Sequence, residues 1–241
     1  MKSNVIESFN LLLEELSKFL RNLVFEDVNF QSKGDGSPVS QYDIAIENHI
    51  RELKKIYMPN FTIVGEESSS WEPEEDLKNS IVVDPIDGTE NFISGIPIWG
   101  VGLALYSEGK LCCSCIFFPE IGMLAKTSNL TFPDMSSYRS FRSSTGISRV
   151  VAFSSNSDWN TTVSQFEAEN RIFGCSLFNL TLAAYGNIRF VSSPNGVRIW
   201  DIAPALAIAL EFGRVVTVNG GAYNGELLDP NSRYVTTIQS E

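Results

Sequence analysis

Residues Ser80–Phe92 read SIVVDPIDGTENF. Ile81, Val82 and Val83 are apolar and β-branched, so the stretch opens as a buried strand, and Asp84 stands where that strand should end. Pro85 is expected to stop further pairing, and Gly88 permits a tight turn. Asp84 and Asp87 can then converge on one point. Two ionised carboxylates share a site comfortably only with a proton or a cation between them, and at neutral pH Mg²⁺ suits such hard oxygen ligands. Thr89, Glu90 and Asn91 follow as the first turn of a helix, whose backbone N–H groups would face the same place and attract phosphate. A bland reading competes, because Asp-Gly pairs often mark ordinary turns.

Other acidic positions bear on the choice. FTIVGEESSS ends a second apolar run in Gly65, Glu66 and Glu67; of these two acids, Glu67 is expected to face solvent. SPVSQYD puts Asp43 near a helix start, and RIWDIAPALAIALEF puts Asp201 at the start of an almost wholly apolar helix. Either aspartate would also serve as a helix cap.

Around these segments the chain is that of a packed globular protein. Its 241 residues are 43% hydrophobic, enough for one large domain or two closely joined ones. With 29 acidic against 18 basic residues the formal charge is −11, a surface that repels nucleic acid and anionic membranes. Glu7, Glu14 and Glu15 interrupt the apolar N-terminal stretch, which argues against a signal peptide or a membrane span and for a cytoplasmic protein. Three of four cysteines fall in LCCSCIFF, where alternation would put Cys113 and Cys115 on one face and Cys112 on the other. With His49 as the only histidine, and that one expected at the surface, neither a zinc site nor a serine or cysteine hydrolase is supported.

Periodicity predicts helices near 4–24, 41–57, 159–169, 177–186 and 201–212, with a mobile loop or hairpin over FQSKGDGSPVSQYD. Strands are expected at FTIV, IVVD, IPIWGVGLALY, KLCCSCIFF, MLAKT, RVVAFS, RIFG, IRFV and RVVTV. The Ser-rich interval 127–149 reads as a connection between an N-terminal half, 1–143, and a C-terminal half, 144–241, forming one catalytic unit.

Three separated segments, GEE at 65–67, DPIDGTENF at 84–92 and WDIAPALAIA at 200–209, resemble the inositol monophosphatase family of Mg²⁺-dependent, lithium-sensitive phosphatases in order and spacing. The resemblance implies an α+β fold, the layered α-β-α-β-α sandwich of the inositol monophosphatase and fructose-bisphosphatase superfamily. It implies two or three Mg²⁺ per site. Glu66, Asp84 and the Ile86 carbonyl would hold one ion, and Asp84, Asp87 and Asp201 a second. Asp43 and Thr89, helped by Glu66, would orient and deprotonate the attacking water. Asp87 and the backbone of Gly88 and Thr89 would hold the phosphate, and Lys33 would approach from its Gly-rich loop. In-line attack by water without a covalent phosphoenzyme is the implied mechanism, on a small-molecule phosphate monoester of a sugar, polyol or related metabolite. A homodimer is an assembly the resemblance allows.

Pro194 stands seven residues before Asp201, where inositol phosphatases of the family carry a substrate-binding glutamate. NFISGIPIWG is similar to a stretch of histidinol-phosphate phosphatases, and a nucleotide bisphosphate phosphatase is a further alternative, although the lysine common near Glu90 in that branch is lacking. The spacing of Asp84 and Asp87 rejects a haloacid-dehalogenase scheme, and no P-loop motif occurs. From another class, a non-catalytic metal-binding regulatory protein competes with the enzyme.

Overall fold

A computed structural model describes residues 2–34, 36–67, 77–143, 148–154 and 168–239. Its first layer is a pair of helices, α1 (Lys2–Asn22) and α2 (Gln41–Tyr57). Between them a hairpin of β1 (Phe30–Ser32) and β2 (Pro38–Ser40) carries the Gly-rich segment, Phe30 pairing with Ser40. Ser40 then caps α2: its hydroxyl accepts from the N–H groups of Tyr42 and Asp43, and the Asp43 carboxylate accepts from the Ser40 N–H at 2.8 Å. This reciprocal capping box sets where α2 begins.

The second layer is a six-stranded sheet in the order β3-β4-β5-β6-β7-β8, built from Thr62–Gly65, Ser80–Asp87, Gly100–Ser107, Lys110–Phe118, Met123–Lys126 and Arg139–Ser140. Strand β3 runs parallel to β4, and β4 through β7 are antiparallel. Along β4 the side chains alternate: Ile81 and Val83 join the core under α1 and α2, with Phe9, Leu12, Leu16, Ile46 and Ile50, while Val82 joins the core on the opposite face.

That opposite face packs against α4 (Ser176–Ala184) and α5 (Ala203–Glu211), which are roofed by the second sheet. Its order is β10-β9-β11-β14-β12-β13, from Glu169–Arg171, Val150–Phe153, Phe190–Val197, Tyr234–Gln239, Val215–Val218 and Gly221–Ala222. Every residue from Ala203 to Ala209 is buried, as a helix between two sheets requires. These four layers, α-β-α-β, agree with the expected α+β architecture, while the outer helical layer of the expected α-β-α-β-α sandwich is not found among the described residues. The helix expected near 159–169 lies outside the described residues except at its end, where Glu169 begins β10 instead.

The local differences have physical reasons. Pro85 does not end β4, which runs to Asp87. Strand β3 has already ended opposite Val83, so the missing proline N–H costs no bond on that side, and pairing with β5 resumes at Asp87. Cys112 does not face away from Cys113 and Cys115. Pairing jumps from Leu105–Cys113 to Tyr106–Leu111, so Cys112 sits at a bulge and packs on the same core. The polar interval after Thr127 is partly built structure: a 3₁₀ turn at Pro133–Ser137 sets Asp134 against Arg21 of α1 at 2.6 Å. His49 is half-buried, stacked on Phe19 with ring centroids 3.9 Å apart.

Gly102 of β5 pairs with Asp84 and faces α4 and α5, where a Cβ would collide with Leu177 and sit 3.0 Å from Pro204 Cγ. Both helices therefore approach the sheet beside Asp84 only because this residue lacks a side chain. Gly102→Ala is expected to destabilise the protein by about 1–3 kcal/mol, the usual cost of overpacking. Urea denaturation with an unchanged m-value checks it; an unchanged midpoint would show that the helices have slack there.

Candidate active site and metal centre

Three residues apart in a regular strand, Asp84 and Asp87 would point to opposite faces of the sheet. They do not, because β4 spends three steps between Asp84–Gly102 and Asp87–Gly100 where β5 spends two. The extra residue restores the phase and turns both carboxylates to the α4/α5 face. Gly88 follows with φ +88°, a left-handed conformation that favours glycine, and leads into the short helix α3 (Thr89–Ile93).

Asp201 arrives from the other half of the chain. It lies two residues before α5 and does not cap it; its Oδ2 accepts the Arg198 N–H at 2.6 Å, which turns the carboxylate toward β4. Ligand oxygens of Asp84, Asp87 and Asp201 lie within 4.8 Å of one another. Asp87 is well supplied with donors: the Leu177 N–H at 2.5 Å, the Cys175 thiol at 2.8 Å, and the N–H groups of Ser176 and Gly88. Asp84 is fully buried, and neither of its oxygens has a hydrogen-bond partner among the described residues.

Glu66 and Glu67 turn off the end of β3. Lys33, from the hairpin, reaches both, with Nζ 2.7 Å from a carboxylate oxygen of each. Glu67 therefore faces this ammonium, with only 14% of its side chain exposed, where an outward orientation was expected. Asp43, fully buried, accepts from both the N–H and the hydroxyl of Ser40. The Thr89 hydroxyl donates to the Ile86 carbonyl at 2.9 Å and lies 3.5 Å from Asp43 Oδ1. Every residue singled out in the sequence, Lys33, Asp43, Glu66, Asp84, Ile86, Asp87, Gly88, Thr89 and Asp201, thus lies on elements that meet at the end of β4.

Sequence reasoning missed Cys175, which stands as N-cap of α4 and donates to Asp87, because a cysteine after a glycine carries no capping signal. It also missed Ser40, whose spacing to Asp43 is a legible capping box.

Burial dominates the electrostatics. Desolvation, then the charges of Glu66, Asp87 and Asp201, push Asp84 far above the usual carboxylate range. Asp201 is raised by desolvation and by Glu66 and Asp87. Desolvation raises Glu66 despite Lys33. Asp43 and Asp87 are each pushed up to about 6 by desolvation, against the hydrogen bonds they accept. A site of this donor set fits a hard divalent cation: oxygen ligands, buried negative charge, and one carboxylate with both oxygens unpartnered.

The model of the inositol monophosphatase family matches residues 2–239. The chain belongs to the inositol monophosphatase family. It is therefore a phosphatase of phosphate monoesters. The histidinol-phosphatase of Mycobacterium tuberculosis is 26% identical over 85% of this chain and 84% of its own length. That of Chlorobaculum parvum is 38% identical over 39% of this chain and 35% of its own. Among solved structures, the extragenic suppressor protein SuhB of Bartonella henselae superposes with TM-score 0.73 at 26% identity, covering 98% of this chain and 93% of its own. The Thermotoga maritima IMPase gives TM-score 0.76 at 20% identity, covering 99% and 92%. An IMPase/NADP phosphatase solved with Mg²⁺ and phosphate shares the fold at TM-score 0.75 and 19% identity, over 94% of this chain and 87% of its own. No described helix of this phosphatase is long and apolar enough to cross a membrane.

A raised carboxyl pKa means that the folded state holds protons the unfolded chain has released. The stability this contributes is full below the unfolded value of 3.8 and is lost as pH rises through about 6 for Asp43 and Asp87. In EDTA the protein is expected to melt lower at pH 8 than at pH 5. Added Mg²⁺ should raise the melting temperature more at pH 8, where the ligands are ionised; equal Mg²⁺ stabilisation at both pH values would contradict this site.

Proposed function

We propose that this phosphatase hydrolyses a small metabolite phosphate monoester with Mg²⁺ held by Glu66, Asp84, Asp87, Asp201 and the Ile86 carbonyl. The observation that carries the reading is the Asp84 carboxylate: fully buried, without a hydrogen-bond partner among the described residues, and with an oxygen within 4.8 Å of oxygens of two further aspartates. Bound Mg²⁺ supplies charge stabilisation to the phosphoryl group and acidifies water.

The chain's own residues then divide the remaining work. Asp43, with a pKa near 6, is matched to accept a proton close to neutral pH. Ser40 holds its Oδ2 and leaves Oδ1 toward Thr89. Because the Thr89 hydroxyl donates to Ile86, its lone pairs remain to accept from a water that donates its other proton to Asp43. Asp87 and the backbone of Gly88 and Thr89 flank the position proposed for the phosphate, and Lys33 balances the charge of Glu66 and Glu67 at its edge.

For the substrate, Pro194 speaks against a polyol contact of the inositol phosphatase kind, and the histidinol-phosphatases among the relatives favour histidinol phosphate. The test is phosphate release from histidinol phosphate, inositol 1-phosphate, fructose 1,6-bisphosphate, adenosine 3′,5′-bisphosphate and other sugar phosphates, with and without Mg²⁺ and Li⁺. Mg²⁺-dependent, Li⁺-inhibited turnover is expected, fastest on histidinol phosphate. Asp87→Asn and Asp43→Asn should each lose about 10²–10⁴ in kcat with unchanged circular dichroism. Turnover without Mg²⁺, or either variant within twofold of the parent, would remove the assignment.

A further inference from the structure

Glu47 lies one helical turn beyond Asp43 on α2, on the same buried face, and only 3% of its surface is exposed. It was not among the residues that the sequence pointed to. A buried carboxylate is retained only with partners, and this one has them on both oxygens. Oε1 accepts from Arg51, whose Nη2 is at 2.7 Å and Nε at 3.2 Å. Oε2 accepts the backbone N–H of Glu67 at 3.0 Å. The carboxylate lies so close beneath Gly65 that any Cβ there would overlap it. Meanwhile the Glu66 N–H donates to the Val83 carbonyl of β4 at 3.2 Å.

Consecutive N–H groups of the turn are therefore fixed from two sides, Glu66 by the strand that carries Asp84 and Glu67 by the helix that carries Asp43. We infer that Glu47, steered by Arg51, is a positioning residue that fixes the Gly65–Glu67 turn and thereby the direction in which Glu66 presents its carboxylate to the cation site. Glu47 touches neither substrate nor cation. It acts through the peptide, and Gly65 is required because that carboxylate needs the space. The inference rests on the proposed role of Glu66 as a cation ligand.

Removing a partner that orients a ligand typically weakens cation binding ten- to a hundredfold. Glu47→Gln keeps the size but leaves an amide donor opposed to the Arg51 or Glu67 donor. It is expected to raise the Mn²⁺ dissociation constant, read by electron paramagnetic resonance on the intact protein, about tenfold. The Mg²⁺ concentration for half-maximal turnover should rise by the same factor, with kcat at saturating Mg²⁺ within about twofold of the parent. Gly65→Ala should reproduce this shift, as should Arg51→Gln more weakly, and these variants serve if Glu47→Gln does not fold.

A purely structural role gives a different pattern: lower melting temperature and less active protein, but unchanged cation dependence in the fraction that works. That result, or no change in any variant, overturns the inference. A parent protein that binds no Mn²⁺ or turns over nothing in Mg²⁺ would instead overturn the reading of the site itself.

Discussion

Everything at the centre of this molecule answers to one constraint, that several carboxylates are held out of water at a single point. Moving an ionised carboxylate from water to a protein interior costs several kcal/mol even after relaxation, so each must be met by donors, by opposite charge or by a proton. The fold meets them one at a time. Asp87 takes N–H groups from the start of α4 and the Cys175 thiol; Asp201 takes the Arg198 N–H; Glu66 and Glu67 share Lys33; Asp43 is closed by Ser40. Asp84, at the middle of the group, is met by none of these. Outer carboxylates provided for and a central one without a partner among the described residues are the arrangement that the proposed cation would complete.

The same constraint explains the layering. Asp84 and Asp87 come from β4, the second strand of the first sheet, Asp43 from the helix layer on one side, and Asp201 from the approach to a helix on the other. A bulge is what lets one strand present two aspartates to the same face, and Gly102 is what lets the helices close over them. Rigid elements thus carry the cluster, whereas Lys33 rides on a two-stranded hairpin whose first strand is wholly exposed. A short, solvated hairpin opens locally at far lower free energy than a core strand. The cationic partner of Glu66 is therefore the easiest part of the site to displace, which suits a group that a metal ion would compete with.

Much of this was legible in the residues. The bounds of α2, Gln41–Tyr57, follow from its apolar period, and β6 follows from the KLCCSCIFF run. The site aspartates were visible because each ends or opens an apolar segment, a position where a charge is otherwise out of place. What was illegible depends on long-range registration. Pro85 reads locally as a strand stop, yet what decides its effect is that β3 has already ended. His49 reads as a surface residue until Phe19 of α1 covers it, and Glu47 reads as one more charge on a helix until Gly65 is laid on top of it. Glu67 was assigned to solvent for want of any way to see Lys33 folding back from 34 residues earlier. Periodicity reports which face is apolar; it does not report what covers that face.

Strand β11 pairs regularly with β14 up to Ser193–Thr236, loses register, and regains it at Val197–Tyr234. This irregular stretch contains Pro194, and it ends one residue before Arg198, whose N–H orients Asp201. Under the proposed reading, the cation site at Asp201 and the stretch around Pro194 are thus joined by a very short piece of chain but built from different parts of it. Asp201 is held by a backbone N–H, which any residue except proline supplies at position 198. Position 194 lies in the irregular part of β11, between the paired residues Ser193 and Val197. Under the proposed reading, a substitution there changes which ester is accepted while Asp201 keeps its aim.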